Sequence, residues 1–400
     1  MYRIIYKRGG CTLSSRNSDG KGLVQYKEPL IFTILFILFF SLFARQMGLV
    51  NMLNTMMNTA YDLLMNTVFY LMAICVLAGA LSGLLTEFGV VDVINKLVSP
   101  LLKPLYDLPG AASLGIVTTF LSDNPAILSL ANDKKFRKYF KRYQLPALTN
   151  LGTAFGMGLI VCTYMISLQN ITGTSYIKSV LVGFIGAVIG SIVSTRIMIG
   201  FTKKIYGTEA MADMDGVEET QQEEVQQKKS VGARFLDAML SGGKTGVTMG
   251  MEIIPGVLII CTFVMMLTNG ASATGVYTGA AYEGIHLLPQ LAEKIEFILT
   301  PLFGFSSSEA IAVPVTALGA AGAAMGLTGK LAAAGLVSAN DIAVFTSVCM
   351  CWSGYLSTHV SMMNSLKSNH LIGKAILSHT IGGLCAGISA HWIFVIFTLM

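Results

Sequence analysis

The stretch TTFLSDNPAILSLANDKKFRK, residues 118–138, decides how the chain is read. An apolar run is interrupted by Ser122, Asp123, Asn124 and Pro125, resumes, and ends in Lys134, Lys135, Arg137 and Lys138. Pro125 removes a backbone donor, and Asp or Asn satisfies freed backbone groups at a helix start. About 12 residues at ~1.5 Å each reach ~18 Å, near the middle of a bilayer. Residues 110–131 are therefore expected to enter and leave on one side as a re-entrant hairpin. A kinked ordinary helix is the alternative. Broken backbone at that depth is tolerated only inside protein or beside a water-filled cavity.

The rest of the chain supplies the membrane. Hydrophobic residues make up 53% and charged residues 12%, with a mean hydropathy of +0.65. A soluble domain carries about 25% charged residues. Seven windows, 30–44, 61–85, 147–168, 177–201, 245–267, 342–363 and 371–399, are long apolar runs without the period-two alternation of a barrel strand. The first is short and ends at Arg45. The spacing in 88–108 (FGVVDVINKLVSPLLKPLYDL) suits a helix lying at the interface.

Loop charges orient the windows. Residues 1–29 and 132–144 each contain six Lys or Arg, whereas 169–176 (QNITGTSY) has none. Basic residues gather in short cytoplasmic loops. The N-terminus is expected inside, 147–168 and 177–201 form an out-and-back pair, and 110–131 cannot be a simple span. Residues 202–234 carry Lys203, Lys204, Lys228, Lys229 and Arg234 around an acidic, Gln-rich middle, and read as a solvated cytoplasmic linker with room for a partner. The polar, basic first 29 residues do not have the form of a cleavable leader.

The second half repeats the first. At an offset of 196, IKSVLVGFIGAVIGSIVS (177–194) lies over GKAILSHTIGGLCAGISA (373–390) with small residues in similar places. At 201, Ser99-Pro100-Leu101 meets Thr300-Pro301-Leu302; at 186, Ile74-Cys75 meets Ile260-Cys261 and Asn66 meets Glu252. Loop charges place 61–85 and 245–267 in opposite senses. Matched breaks in an inverted repeat point to a secondary transporter with a midplane site. The expected fold is an all-α integral membrane protein: an inverted repeat of spanning helices with two re-entrant helical hairpins. Its divisions are a cytoplasmic segment 1–29, an extra transmembrane helix and loop 30–60, a first repeat 61–201, a charged linker 202–244 and a second repeat 245–400.

Ionisable groups inside a membrane are expensive and tend to be functional. Asp123, with Ser122 and Asn124, sits at the first break. Glu309 follows Ser306, Ser307 and Ser308 in the second hairpin candidate (300–331), and Asp123 and Glu309 are expected to face one another. Asn150, Thr153, Ser347 and Ser353 are expected to line the cavity. Asp123, Glu252, Glu309 and His359 are the candidates for coupling to H⁺ or Na⁺. The bland readings are an interfacial charge for Glu252, a helix-to-helix donor for His359, and a helix cap for 306–310. No cofactor or metal is expected, since the seven cysteines show no ligand spacing and Cys349 and Cys351 read as small packing residues. Nothing points to an enzyme or to nucleic acid. GGKT at 242–245 lacks the first glycine of a phosphate loop, and the aromatics in 132–144 suit anionic headgroups.

Two pairs of stretches carry a family resemblance: FLSDNPAI (120–127) followed by LTNLGTAFGMG (148–158), and GFSSSEAIAVP (304–314) followed by NDIAVFTSVCMCWSGYL (340–356). The pattern resembles the transporter gate domain. That domain is shared by concentrative nucleoside transporters, the membrane part of ferrous iron transporter B, and spore maturation proteins A and B. The resemblance covers 61–201 and 245–397. Residues 304–310 are similar to the G-Q-T-E-A-P hairpin of nucleoside transporters in having a glycine, hydroxyls and then Glu-Ala; the Gln is absent, and nothing clearly matches their second hairpin. No G-protein domain precedes the gates, which argues against iron. The resemblance implies a gate-type homo-oligomer of a bacterial inner membrane. It leaves two readings: a carrier for a nucleoside-like or other small polar solute, and a non-transporting gate protein with a channel, assembly or sporulation role.

Overall fold

The computed structural model describes residues 27–132, 134–212, 230–272 and 274–399. The N-terminal segment 1–26 and the acidic middle of the linker, 213–229, lie outside the described residues. In chain order the first half comprises α1 (Lys27–Met47), α2 (Leu49–Asp62), a π-helical segment (Leu63–Val68), α3 (Phe69–Glu87), α4 (Val90–Tyr106), α5 (Ala112–Leu121), α6 (Pro125–Asn132), α7 (Lys134–Arg137), α8 (Ala147–Thr153), α9 (Gly158–Ser167), α10 (Gln169–Thr172) and α11 (Ile177–Tyr206). The second half comprises α12 (Val231–Glu252), a second π segment (Gly256–Cys261), α13 (Thr262–Thr268), α14 (Leu287–Lys294), α15 (Glu296–Phe303), a 3-10 turn (Ser308–Ile311), α16 (Ala312–Gly319), α17 (Ala321–Ala333), α18 (Ala339–Cys351), α19 (Tyr355–Ser365) and α20 (Ile372–Leu399). Among the described residues there are no strands.

Among the described residues, six helical runs are long and apolar enough to cross a membrane: Lys27–Met47, Leu49–Glu87, Ala147–Thr172, Ile177–Tyr206, Val231–Thr268 and Asn369–Leu399. The chain is an all-α integral membrane protein. Three windows differ in detail from their sequence reading. The stretch expected as a loop up to residue 60 is helical from Leu49, so α2, the π segment and α3 form one 39-residue run. The helix expected over 245–267 starts at Val231, inside the expected linker. The window 342–363 is not one span: α18 stops at Cys351 and α19 starts at Tyr355, with Gly354 left-handed at φ 57°. Its counterpart 147–168 is likewise broken after Thr153, with Met157 at φ 54° before α9.

These breaks recur in register. Left-handed residues close α4 (Asp107, φ 56°) and α15 (Gly304, φ 60°), a spacing of 304 − 107 = 197. Met157 and Gly354 give the same spacing, 354 − 157 = 197. Proline lies inside both α4 (Pro104) and α15 (Pro301) at the same spacing, 301 − 104 = 197.

Small residues dictate how the halves meet. A Cβ on Gly79 would strike the Gly242 carbonyl, one on Gly83 the Ala238 carbonyl, and one on Gly246 the Cys75 carbonyl. Ascending α3 therefore descends α12, backbone against backbone. Gly186 faces Ala386 and Ala390, Gly190 faces Gly382, and Gly382 faces Ser194, so α11 and α20 also run antiparallel. Close approach through glycines is how membrane helices associate when no hydrophobic drive separates them from lipid. At the end of the first pair, Arg234 Nε binds Glu87 Oε1 at 2.5 Å.

The opposite end of the 39-residue run is covered by 276–286. Asn51 donates to the Tyr277 carbonyl (3.0 Å), Asn58 to that of Gly279 (2.8 Å), and the Tyr282 amide to Thr59 Oγ1 (2.8 Å). Asp62 takes the Tyr282 hydroxyl and Lys330 Nζ, the latter at 2.7 Å. Asp62 and Glu87 stand about 37 Å apart along the helix at ~1.5 Å per residue.

Candidate functional site

The first break is built from four consecutive residues. Ser122 leaves helical geometry at φ −130°, ψ −112°. The Asp123 amide donates to Ser122 Oγ at 2.5 Å, and Pro125 opens α6. The Asn124 amide donates to the Ser353 carbonyl, across 229 residues of chain. Gly156 closes the corner: a Cβ there would overlap Asn124 Oδ1 and lie 3.1 Å from Ser353 Cβ. The polar break of one half thus meets the helix break of the other, and both α6 and α16 pack on α19. Asp123 Oδ1 and Asn124 Oδ1 are buried atoms without a hydrogen-bond partner.

A cleft of about 460 Å³ runs from Glu87, Asp237 and Ser241, at the α3–α12 mouth, to Leu121 and Ser122. Ser82, Thr86, Ser122, Ser241 and Thr245 contribute hydroxyls to its lining, beside glycines and apolar groups. A second cavity, about 290 Å³, lies beside Glu293, Glu296, Thr300 and Ser306, Ser307 and Ser308.

Asp123 and Glu309, expected to face one another, each hydrogen-bond to a chain neighbour. The recorded side-chain hydrogen bond of Glu309 is local, from Ser308 Oγ at 3.4 Å. Continued along the chain, the 197-residue spacing of the left-handed residues sets Ser122, Asp123 and Asn124 on Gly319, Ala320 and Ala321. The chain bends by 76° between α15 and the 308–319 helix, so 306–309 lies at the head of an arm. The next turn falls at Ala320, which is extended at φ −161°, ψ 116°.

Other candidates divide similarly. Asn150 and Thr153 are fully buried in α8. Asn150 donates to Ser194 Oγ (2.9 Å) and the Ala375 carbonyl (3.1 Å). Ser347 bonds only within its own helix, to the Val344 carbonyl at 2.7 Å. His359 Nδ1 meets the Tyr355 carbonyl at 2.6 Å, and its Nε2 has no partner. Ser306 and Ser307 are held by the Asp341 carboxylate and the Leu336 carbonyl.

Residues that the sequence reading passed over hold the frame. Asp341, fully buried, closes a capping box with Ser338 and accepts the Ser306 amide at 3.2 Å. Asn340 donates to the Phe303 and Gly304 carbonyls at 2.9 and 2.8 Å and receives His391. His379 joins Ser194 (3.0 Å) to the Cys351 carbonyl (2.5 Å). The S/T-x-x-D spacing of Ser338 and Asp341 was a usable signal, as was a second histidine, His379, inside an apolar window.

Residues 68–170, 103 of the 400, match the Gate family, described as nucleoside recognition. The match runs through α3, the Asp123 break and the broken α8–α9 helix. Among solved structures, a CNTnw variant in an outward-facing state superposes with a TM-score of 0.51 at 14% identity, covering 93% of this chain and 86% of that one. CNTnw in an intermediate 2 state gives a TM-score of 0.51 at 14% identity, with 93% and 83% covered. The fold is that of a concentrative nucleoside transporter. At this identity the likeness concerns the path of the chain and not the identity of a ligand. The sequence search of curated proteins found no match.

Proposed function

We propose that the chain is a secondary transporter for a small polar, nucleoside-like solute, coupled to H⁺ or Na⁺. It would sit in a bacterial cytoplasmic membrane with its N-terminus inside, as an inverted repeat and a homo-oligomer. The antiparallel packing of α11 on α20, which open at equivalent places in the two halves, supports the inversion. The observation that carries the transport reading is the pair of unpartnered buried oxygens, Asp123 Oδ1 and Asn124 Oδ1, at a helix break whose first residue, Ser122, lines an open cleft. An unpaired buried acceptor costs on the order of 1–3 kcal/mol. A solute hydroxyl or amine, a cation or water offsets that cost by pairing with it. Asp123, Asn124 and the 353 break supply directional contacts, and Ser122, the residue before them, lines the cleft. Ser306, Ser307 and Ser308 line the second cavity instead.

Uptake of radiolabelled uridine into proteoliposomes under an H⁺ or Na⁺ gradient tests it. Wild-type protein should accumulate uridine only with a gradient, and Asp123→Asn and Asn124→Ala should each lower uptake by about tenfold. Uptake that is absent in wild type across nucleosides, or undiminished in both variants, removes this site from transport.

A further inference from the structure

We infer that His379 is a positioning residue that ties the two helix breaks of the proposed solute site to one another; the inference rests on the transporter reading above. Both α8 and α18 stop short, and each needs its end fixed if the residues at the break are to hold a ligand. His379, on α20, is buried between them at 1% exposure. The Cys351 carbonyl can only accept, so the imidazole donates to it through Nε2, at 2.5 Å. In the neutral ring Nδ1 then accepts, and Ser194 Oγ lies 3.0 Å from it. Ser194 in turn receives the Asn150 amide at 2.9 Å. Thr153 approaches Nδ1 at 3.4 Å but places its proton on the Thr149 carbonyl at 2.6 Å. A directed chain results: Asn150 to Ser194, Ser194 to His379, His379 to Cys351. Two residues beyond Cys351 is Ser353, whose carbonyl receives Asn124. The imidazole is clamped by the rings of His359 and Tyr355, with centroids at 4.7 and 5.2 Å.

The two ring nitrogens can be replaced separately. Gln carries an amide donor near the place of Nε2, and Asn an acceptor near that of Nδ1. Trp352, 3% exposed and next to Cys351, reports on the break; the other tryptophan, Trp392, is 49% exposed and is replaced by phenylalanine for this purpose. In that background His379→Gln should keep the buried Trp352 emission and uridine affinity of the parent. His379→Asn and His379→Ala should red-shift the emission and raise the uridine KM about tenfold with Vmax held. Ser194→Ala, a smaller change, should move both readouts in the same direction by less, and serves if the His379 variants do not fold. Equal behaviour of Gln, Asn and Ala, or an unmoved Trp352 in every variant, overturns the assignment. If the parent neither binds nor carries uridine, the transport reading fails in its solute. The Trp352 emission alone then decides whether His379 holds the break.

Discussion

Gly156 leaves no room beside the Asn124 carboxamide. A methyl group there overlaps Asn124 Oδ1, and the neighbouring backbone is fixed by a helix break. Gly156→Ala is expected to lower uridine affinity about tenfold while the protein still purifies as a folded species. Unchanged affinity in a calorimetric titration would detach this corner from the site. The Asp–Asn–Pro interruption was legible in the sequence because a polar triplet in an apolar run has few structural excuses. His379 was not, because nothing local separates a clamped imidazole from one that merely fills space. Its meaning depends on Ser194 and Cys351, 185 and 28 residues away. The surroundings of Glu309 were equally illegible. Its hydroxyl-rich neighbourhood resembles a binding tip, yet Asp341, a residue 32 positions on (341 − 309), engages Ser306 instead.

At the level of elements, α4 ends in a charge cluster that makes acid stability testable. Asp107 lies between Lys103 (2.5 Å) and Lys203 (2.6 Å). Burial alone would raise its carboxyl, but the two ammonium groups outweigh burial and hold it below the usual carboxylate range. A lowered folded value means that the contribution is fully present above about pH 4, the unfolded value, and fades as pH falls through the folded one. Melting temperature in detergent should therefore drop on acidification, and Asp107→Asn should flatten that drop; an unaltered acid limb would count against the cluster. The α3–α12 pair makes a separate prediction. Gly242→Val forces a side chain onto the Gly79 carbonyl and should cost about 1–3 kcal/mol, seen as a lower midpoint of thermal unfolding. Periodicity located these helices well. It missed the extension of α12 back to Val231, because that turn is amphipathic and charged, and it missed the break at 352–354, because hydropathy is blind to a left-handed glycine.

For the molecule as a whole, the antiparallel α11 and α20 place their leading loops at opposite ends of the bundle. Cysteines introduced as Thr174→Cys and Lys367→Cys, in a background lacking the native cysteines, should react with an impermeant maleimide from opposite faces of a vesicle. Labelling from one face would dissolve the inverted arrangement. The sequence suggests a repeat through three blocks in order at offsets of 186, 196 and 201; two pairs of left-handed residues in the structure share a spacing of 197. The contact between α3 and α12 has a mechanical consequence. With no side chain between Gly79 and Gly242, neither backbone can slide past the other without collision, so the two helices travel as a single beam. Any rocking of this protein has to pivot elsewhere, and the wide-turned stretches Leu63–Val68 and Gly256–Cys261, which touch each other where the beam ends, are its natural fulcrum.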